Sequence, residues 1–284
     1  MIDNINWYPG HMAKTRRLIE ENLKLVDIVA EIVDARIPKS SRNPDFDNLL
    51  KSKKRIVVLN KSDIADLQTT KKWQKYYTSQ GICAICADSK QKKGVSDFLA
   101  KIKEVLCEEE ERKNSRGMTG KPIRIMILGV PNVGKSTFIN ALAGAKVAKA
   151  QDKPGVTRGK QWVSIQGADL LDMPGILWPK IDDSQTGINL ALTGAVRDQI
   201  LDIEELACQL LSVLNTNYKE KLQERYKIAT DITDGYELLK LVAKKRGFLI
   251  SGGELDTERA AIIVIDEYRA GKLGAISLES PEDI

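Results

Sequence analysis

The stretch GVPNVGKST, Gly129 to Thr137, constrains this chain more than any other. It fits G-x-x-x-x-G-K-[ST] and lies between a hydrophobic run, IRIMILG, and a helical pattern, KSTFINALAG. Strand, glycine-bearing loop and helix in that order form a phosphate cradle. The loop turns its N–H groups inward, and the helix N-terminus adds a favourable dipole. Asn132, Val133, Gly134, Lys135, Ser136 and Thr137 would surround the phosphates, with Lys135 reaching the β- and γ-phosphates and Ser136 holding Mg²⁺. An ordinary glycine turn is the bland alternative, and the contiguous match in the right context weighs against it.

The surrounding chain supports an α/β unit. DIVAEIVDAR (Asp27–Arg36), RIVVLNKSD (Arg55–Asp63) and ICAIC read as strands before the loop. QWVSIQ and ADLLDMPG read as two strands with a short turn after it. DLQTTKKWQKYYTSQG, stopped by Gly81, reads as a helix. So does GVSDFLAKIKEVLCEEEER, with Val95, Phe98, Leu99, Ile102, Val105 and Leu106 on one side. Such alternation predicts a parallel sheet. RKNSRGMTGKP (Arg112–Pro122) reads as an exposed basic connector. One α/β domain is expected over residues 1–180. Beyond Pro179, EELACQLLSVLNTNY, GYELLKLVAKKRGFL and DTERAAIIVIDEYRAGKL read as amphipathic helices, the last capped by Asp256 and stopped by Gly271. Residues 181–284 are expected to form a smaller all-helical domain.

Composition excludes several classes. With 42% hydrophobic and 29% charged residues, the chain reads as globular rather than disordered. No run is long enough to span a bilayer, and the start lacks the basic-then-apolar pattern of a secretory signal. Cys83, Cys86, Cys107 and Cys208 suggest no disulfide framework, so a reducing, cytoplasmic location is expected. Cys83 and Cys86 form a CxxC, but no second pair exists to complete a zinc site. Three residues apart on a strand, they should point to opposite faces as small buried apolar groups. A net charge of +5 permits an RNA or phosphate partner without establishing one.

Three further motifs bear on chemistry. NKSD (Asn60, Lys61, Ser62, Asp63) ends a hydrophobic run. A carboxylate there can accept from N1–H and N2–H₂ of guanine, a donor pair that adenine lacks, and Lys61 could lay its stem along the base. Alone, NKSD is a strand-end turn; beside a phosphate loop it points to guanine. DMPG (Asp172–Gly175) ends another strand, where Asp172 could bind Mg²⁺ through water and the Gly175 N–H could meet a γ-phosphate. Thr157 in KPGVTRG could complete the Mg²⁺ shell. In ADSKQKKG, Asp88, Ser89 and Lys90 are the least specific candidates, a loop over the guanine edge.

These five elements are similar to those of the Ras-like GTPases, in another order. NKSD and DSK precede the phosphate loop, Thr157 and DMPG, as in the circularly permuted GTPases. Arg112–Pro122 would bridge the old termini. Within that group, WYPGHMAK, VDARIPKSSRNP, LNKSD, GVPNVGKST, DMPGILWPK and SGG resemble the ribosome biogenesis GTPase A family, bacterial factors acting late in large-subunit assembly. The likeness runs from Trp7 to about Ser277. DSK departs from the family's SAK form, which bears on the side-chain roles of Asp88 and Ser89. The resemblance implies a circularly permuted Ras-like P-loop GTPase domain with a smaller C-terminal helical domain, binding GTP or GDP with Mg²⁺. It implies the 50S subunit or its precursor (rRNA and ribosomal proteins) as partner, with no membrane or DNA partner and a monomer off the ribosome.

A Ras-type site needs a group to orient the attacking water. The position after Gly175 is Ile176, which cannot hydrogen-bond through its side chain. The resemblance nominates His11, the chain's only histidine, in a near-terminal turn. Without it, an isolated histidine reads as a surface residue. Asn132 is either a turn former or, by resemblance, a K⁺ ligand near the phosphates. Five basic residues and no acidic one between Arg112 and Arg124, and Lys244–Arg246, are solvated faces or, by resemblance, RNA contacts. Two other classes stay open. An RNA-binding scaffold is countered by the intact Lys135, Ser136 and Asp172 set, and a small-molecule kinase by NKSD. A GTPase acting on another RNA particle is a variant of the first reading.

Overall fold

The structure, a computed structural model, describes residues 10–115, 121–148, 160–196 and 202–283, without the side chains of 10, 11, 109, 110, 112–115 and 283. Strand β1 (Ile28–Asp34) is buried along its whole length. A strand with no exposed face fits only between two others under cover on both sides. It pairs in parallel with β2 (Lys54–Asn60) on one side and β4 (Ile123–Leu128) on the other. With β3 (Cys83–Ala87), β5 (Gln161–Ile165) and β6 (Ala168–Asp172), the sheet order is β3-β2-β1-β4-β6-β5. All pairs are parallel except the β5–β6 hairpin. All six expected strands are present, and the class is the expected α/β one.

The order reverses between β1 and β4. In open α/β sheets the crevice at such a switch point, beyond the carboxyl ends, receives ligands. Register brings the right residues there: Asp34 lies beside Asn60, Asn60 beside Ala87, and Ile127 beside Asp172.

Helices cover both faces. On one, α4 (Asp97–Ser115) buries Phe98, Ile102 and Leu106. Phe98 meets Phe138 of α5 (Lys135–Ala143) edge to face, with centroids 5.0 Å apart. On the other, α3 (Leu67–Ser79) packs Trp73 and Tyr77 on Val33, Val57 and Leu59. Cys83 and Cys86 join these two opposite cores, as expected of strand neighbours three apart. Both are half-buried rather than buried, because β3 is an edge strand.

Helix α6 (Ser184–Leu192) follows the sheet. Its Leu190 joins the sheet core, while Ile188, Ala191 and Leu192 join a second core. That core is built from α7 (Ile203–Asn217), α8 (Lys219–Tyr226), α9 (Gly235–Arg246) and α10 (Thr257–Arg269). Asp183, Asp202, Asp234 and Asp256 cap α6, α7, α9 and α10 by accepting from first-turn N–H groups, Asp256 as expected. Gly271 ends the last helix in the left-handed region, also as expected.

Two expectations are corrected. The segment holding His11 is not a turn from Gly10 onward: α1 spans Gly10–Leu23. Its buried stripe is Met12, Thr15, Ile19 and Asn22, and the two polar members hide the apolar period. The connector is partly helical, since α4 continues to Ser115. Short α2 (Asp45–Leu49), α6 and α8 carry too few residues for a clear period. The final segment then crosses back to the sheet. Leu278 donates its N–H to Arg36, and Trp73 donates its indole N–H to the Glu279 carbonyl. Among the described residues, no helix is long and apolar enough to cross a membrane.

Candidate functional site

The loop after β4 is shaped from within. Asn132 and Gly134 both hold positive φ, 61° and 91°. A side chain at Gly134 would also press on the Asn60 amide, 2.5 Å from a Cβ there. Lys135 opens α5 and folds back over the loop, donating to the Gly129 and Val130 carbonyls at 3.0 and 2.8 Å. Burial pushes its ammonium down to about 8, with Asp172 opposing. Ser136 Oγ lies 3.4 Å from Asp172 Oδ2, so the ends of β4 and β6 meet here. Burial pushes the Asp172 carboxyl up, against Lys135 and Ser136. Its Oδ1 is buried without a hydrogen-bond partner among the described residues. A buried, half-satisfied carboxylate beside a hydroxyl is a donor set that suits a hard divalent cation. Gly175 lies where a Cβ would come within 2.8 Å of Pro131, so the DMPG turn is pressed against the phosphate loop.

The NKSD loop arrives from β2 and is tied to the phosphate loop. Asn60 Nδ2 donates to the Val133 carbonyl at 2.8 Å, and its Oδ1 accepts from Ser89 Oγ at 2.6 Å. One buried amide thus joins three loops, so Asn60 and Ser89 spend their side chains on each other. Lys61 sits at φ 60° with its ammonium on Asp34. The Ser62 N–H donates to the Ala87 carbonyl, 3.1 Å away. Asp63 is exposed at the rim. Partial burial raises its carboxyl, helped by Asp88 and opposed by Lys90 and Arg36. Asp88 turns inward: its Oδ1 accepts from the Lys90 and Gln91 N–H groups at 3.0 Å. It shapes the loop rather than reaching outward.

Val133 is buried under the loop, and Thr137 is half-buried in the first turn of α5. Asn132 Nδ2 donates to the Gly194 carbonyl at 2.5 Å, beyond the end of α6. Ile176 is buried in the sheet core, its N–H pointing at the Gly129 carbonyl 3.4 Å away. It cannot face a water. Thr157 lies outside the described residues, as do Trp7–Pro9. His11 lies in the first turn of α1, its side chain outside the description, while its neighbour Met12 is buried in the sheet core. The structure also adds residues that sequence reasoning missed. Asp34 and Arg36 stand in VDAR at the end of β1, and an Asp–x–Arg pair closing an apolar strand was the available signal.

This geometry can be compared with known proteins. The 50S ribosome-binding GTPase family model matches residues 124–245. The match starts on β4 and leaves out β1–β3, as a permuted chain requires. A Priestia megaterium protein named ribosome biogenesis GTPase A is 46% identical over 282 residues, covering 98% of this chain and 98% of its own length. The crystal structure of GNP-bound YlqF from T. maritima gives a TM-score of 0.66 at 32% identity, over 95% of this chain and 100% of that one. GDP-bound TM YlqF gives 0.65 at 31% identity, over 94% and 100%. These likenesses run through the permuted sheet and the helices beyond it, so more than a phosphate loop is shared. On that breadth of match, the chain belongs to the ribosome biogenesis GTPase A family, with a circularly permuted Ras-like GTPase fold and a helical C-terminal part.

Proposed function

We propose that this protein binds and hydrolyses GTP to GDP and phosphate as a switch in late assembly of the large ribosomal subunit. One observation carries the reading. The phosphate loop and the NKSD loop, which lie in reversed order along the chain, are joined at one rim by Asn60. In this reading Asp63 takes the guanine donors, Lys61 lies along the base, and Ser62 and the Asp88–Ser89 backbone border it. Asn132 to Thr137 and Gly175 surround the phosphates. Lys135 carries the charge that meets the developing negative charge at the γ-phosphate. Ser136 and Asp172, with Thr157, would hold Mg²⁺, which supplies charge neutralisation at the phosphates.

The buried Ile176 leaves water orientation to another group, and His11 is the candidate, brought into place by the ribosomal particle. An imidazole titrates near neutral pH and can accept from a water. His11→Ala is expected to lower particle-stimulated hydrolysis at least a hundredfold, within the usual range for losing a general base, with GTP affinity unchanged. Equal stimulated rates in mutant and parent would sink that role. K⁺ at Asn132 belongs to the same reading and is tested by turnover in KCl against NaCl.

The partner in this reading is the 50S subunit or its precursor, in the cytoplasm, engaged by a monomer. The chain divides at about residue 180 into a nucleotide unit and a helical unit that contacts rRNA. The basic residues at Lys244–Arg246, in the last turn of α9, support the RNA contact. Such binding weakens steeply with salt. Asp63→Asn tests the guanine reading: preference should move from GTP toward xanthosine triphosphate. ATP competing equally with GTP in the parent would overturn it. Co-sedimentation with large-subunit precursors, with GDP and with a non-hydrolysable GTP analogue, tests the partner. The scaffold alternative predicts no hydrolysis in a single-turnover assay on particles.

A further inference from the structure

Lys61 does not stand alone. Its Nζ lies 2.9 Å from Asp34 Oδ2, across from the end of β2 to the end of β1. Asp34 is 1% exposed, a costly place for a carboxylate without opposite charge. Burial alone would raise it, but Arg36 and Lys61 outweigh burial and hold it well below the usual carboxylate range. Arg36 is equally buried. Its Nε donates to Asp34 Oδ1 at 3.0 Å and its Nη2 to Oδ2 at 2.9 Å, a two-pronged grip.

The third arm of that guanidinium leaves the sheet. Nη1 donates to the Tyr268 carbonyl at 3.1 Å, and the guanidinium stacks 4.7 Å from the Tyr268 ring centroid. Tyr268 is in the last turn of α10. The same end of α10 is seated on the residue after Asp63. Gly271, at φ +74°, leaves no room for a Cβ against Ile64. Ile276 N–H donates to the Ile64 carbonyl at 3.0 Å. The loop holding Lys61 and Asp63 is therefore gripped by the helical core from two sides, through Arg36 and through Ile64.

We propose that Arg36 and Asp34 are positioning residues for guanine recognition: they hold the Lys61 stem as a platform for the base and tie it to α10, so that the seating of the helical core sets nucleotide affinity. The proposal rests on the guanine reading of Lys61 and Asp63 above. A lysine whose head is pinned before the ligand arrives loses little rotamer freedom on binding. Linkage makes the tie reciprocal: whatever shifts α10 changes nucleotide affinity, and nucleotide changes affinity for the partner of the helical core by the same factor.

A double-mutant cycle on the full chain, read as GDP affinity by calorimetry, tests it. Arg36→Met is expected to raise the Kd for GDP about tenfold, the effect of freeing one long side chain. In a Lys61→Ala background the same change should have almost no effect, because the platform is gone. An equal loss in both backgrounds would make Arg36 merely structural and overturn the proposal. If Arg36→Met does not fold, Gly271→Ala decides. It displaces the end of α10 from Ile64 without touching the ion cluster, and should weaken GDP binding in the parent but not in Lys61→Ala. Parental affinity in a folded Gly271→Ala protein would overturn the tie to α10. The parent is titrated with GDP and ADP in parallel. Equal affinity there defeats the guanine reading itself, whereas a GDP preference with unmoved variants defeats only this inference.

Discussion

Lys135 is buried under its own loop with two carbonyl oxygens and, among the described residues, no carboxylate in direct contact. Burial has lowered it from 10.5 to about 8, so between those values the unfolded chain keeps a proton that the folded one has released. The sign follows: stability of the unliganded protein rises as pH climbs from about 8 to 10.5, and this gain is lost as pH falls back to 8. In the proposed reading Lys135 meets the phosphates, which favour the charged ammonium, so nucleotide binding is expected to take up a proton above neutrality. GDP affinity is expected to be about fourfold weaker at pH 8.5 than at pH 7, with proton uptake visible in calorimetry across buffers of different ionisation heat. Equal affinity and no uptake would mean that Lys135 stays charged in the free protein. At this scale the reactive types were legible in the sequence, because glycine, lysine, serine and aspartate at fixed spacing have few other uses. The inward turn of Asp88 and the link from Asn60 to Ser89 were not, because they depend on which loop lies opposite.

At the level of elements, the best-read helices carry their own start and stop. Asp66 and Asp256 cap α3 and α10, and Gly81 and Gly271 sit just past their ends in the left-handed region. Asp234 does the same for α9, accepting from the Glu237 N–H at 2.9 Å. Asp234→Ala should remove about 1 kcal/mol, or about 2–4 °C from the melting midpoint, measured by thermal denaturation. A neutral substitution would show that packing on α7 alone holds that helix start. Helix α1 was missed because Thr15 and Asn22 occupy its buried stripe, and Asn22 is satisfied there by the Leu18 carbonyl at 2.7 Å. Polar residues can face a core when the helix itself supplies the partner, which an apolar count does not register.

For the whole molecule, the last residues matter beyond their number. Ile276 is buried in the helical core, and Leu278 packs against both cores. The Glu279 carboxylate accepts from the Lys39 and Ser40 N–H groups, from Ser40 Oγ and from Asn189 of α6. Ending the chain at Ala275 is expected to cost at least about 3 kcal/mol, from buried aliphatic area and unpaired amides. Calorimetry should then show a lower midpoint and a transition splitting toward two. An unchanged single transition would show that the strap is dispensable. Sequence alone determined the six strands and the permuted order of the motifs. Each of these is written in local spacing, where backbone geometry and side-chain type act within a few residues. Only the tertiary structure decided that Asn60 binds those loops together, that Ile176 is buried away from water, and that Arg36 ties Lys61 to α10. Those contacts join residues tens to hundreds of positions apart, and their energy comes from burial and charge pairing that exist only once the cores have formed.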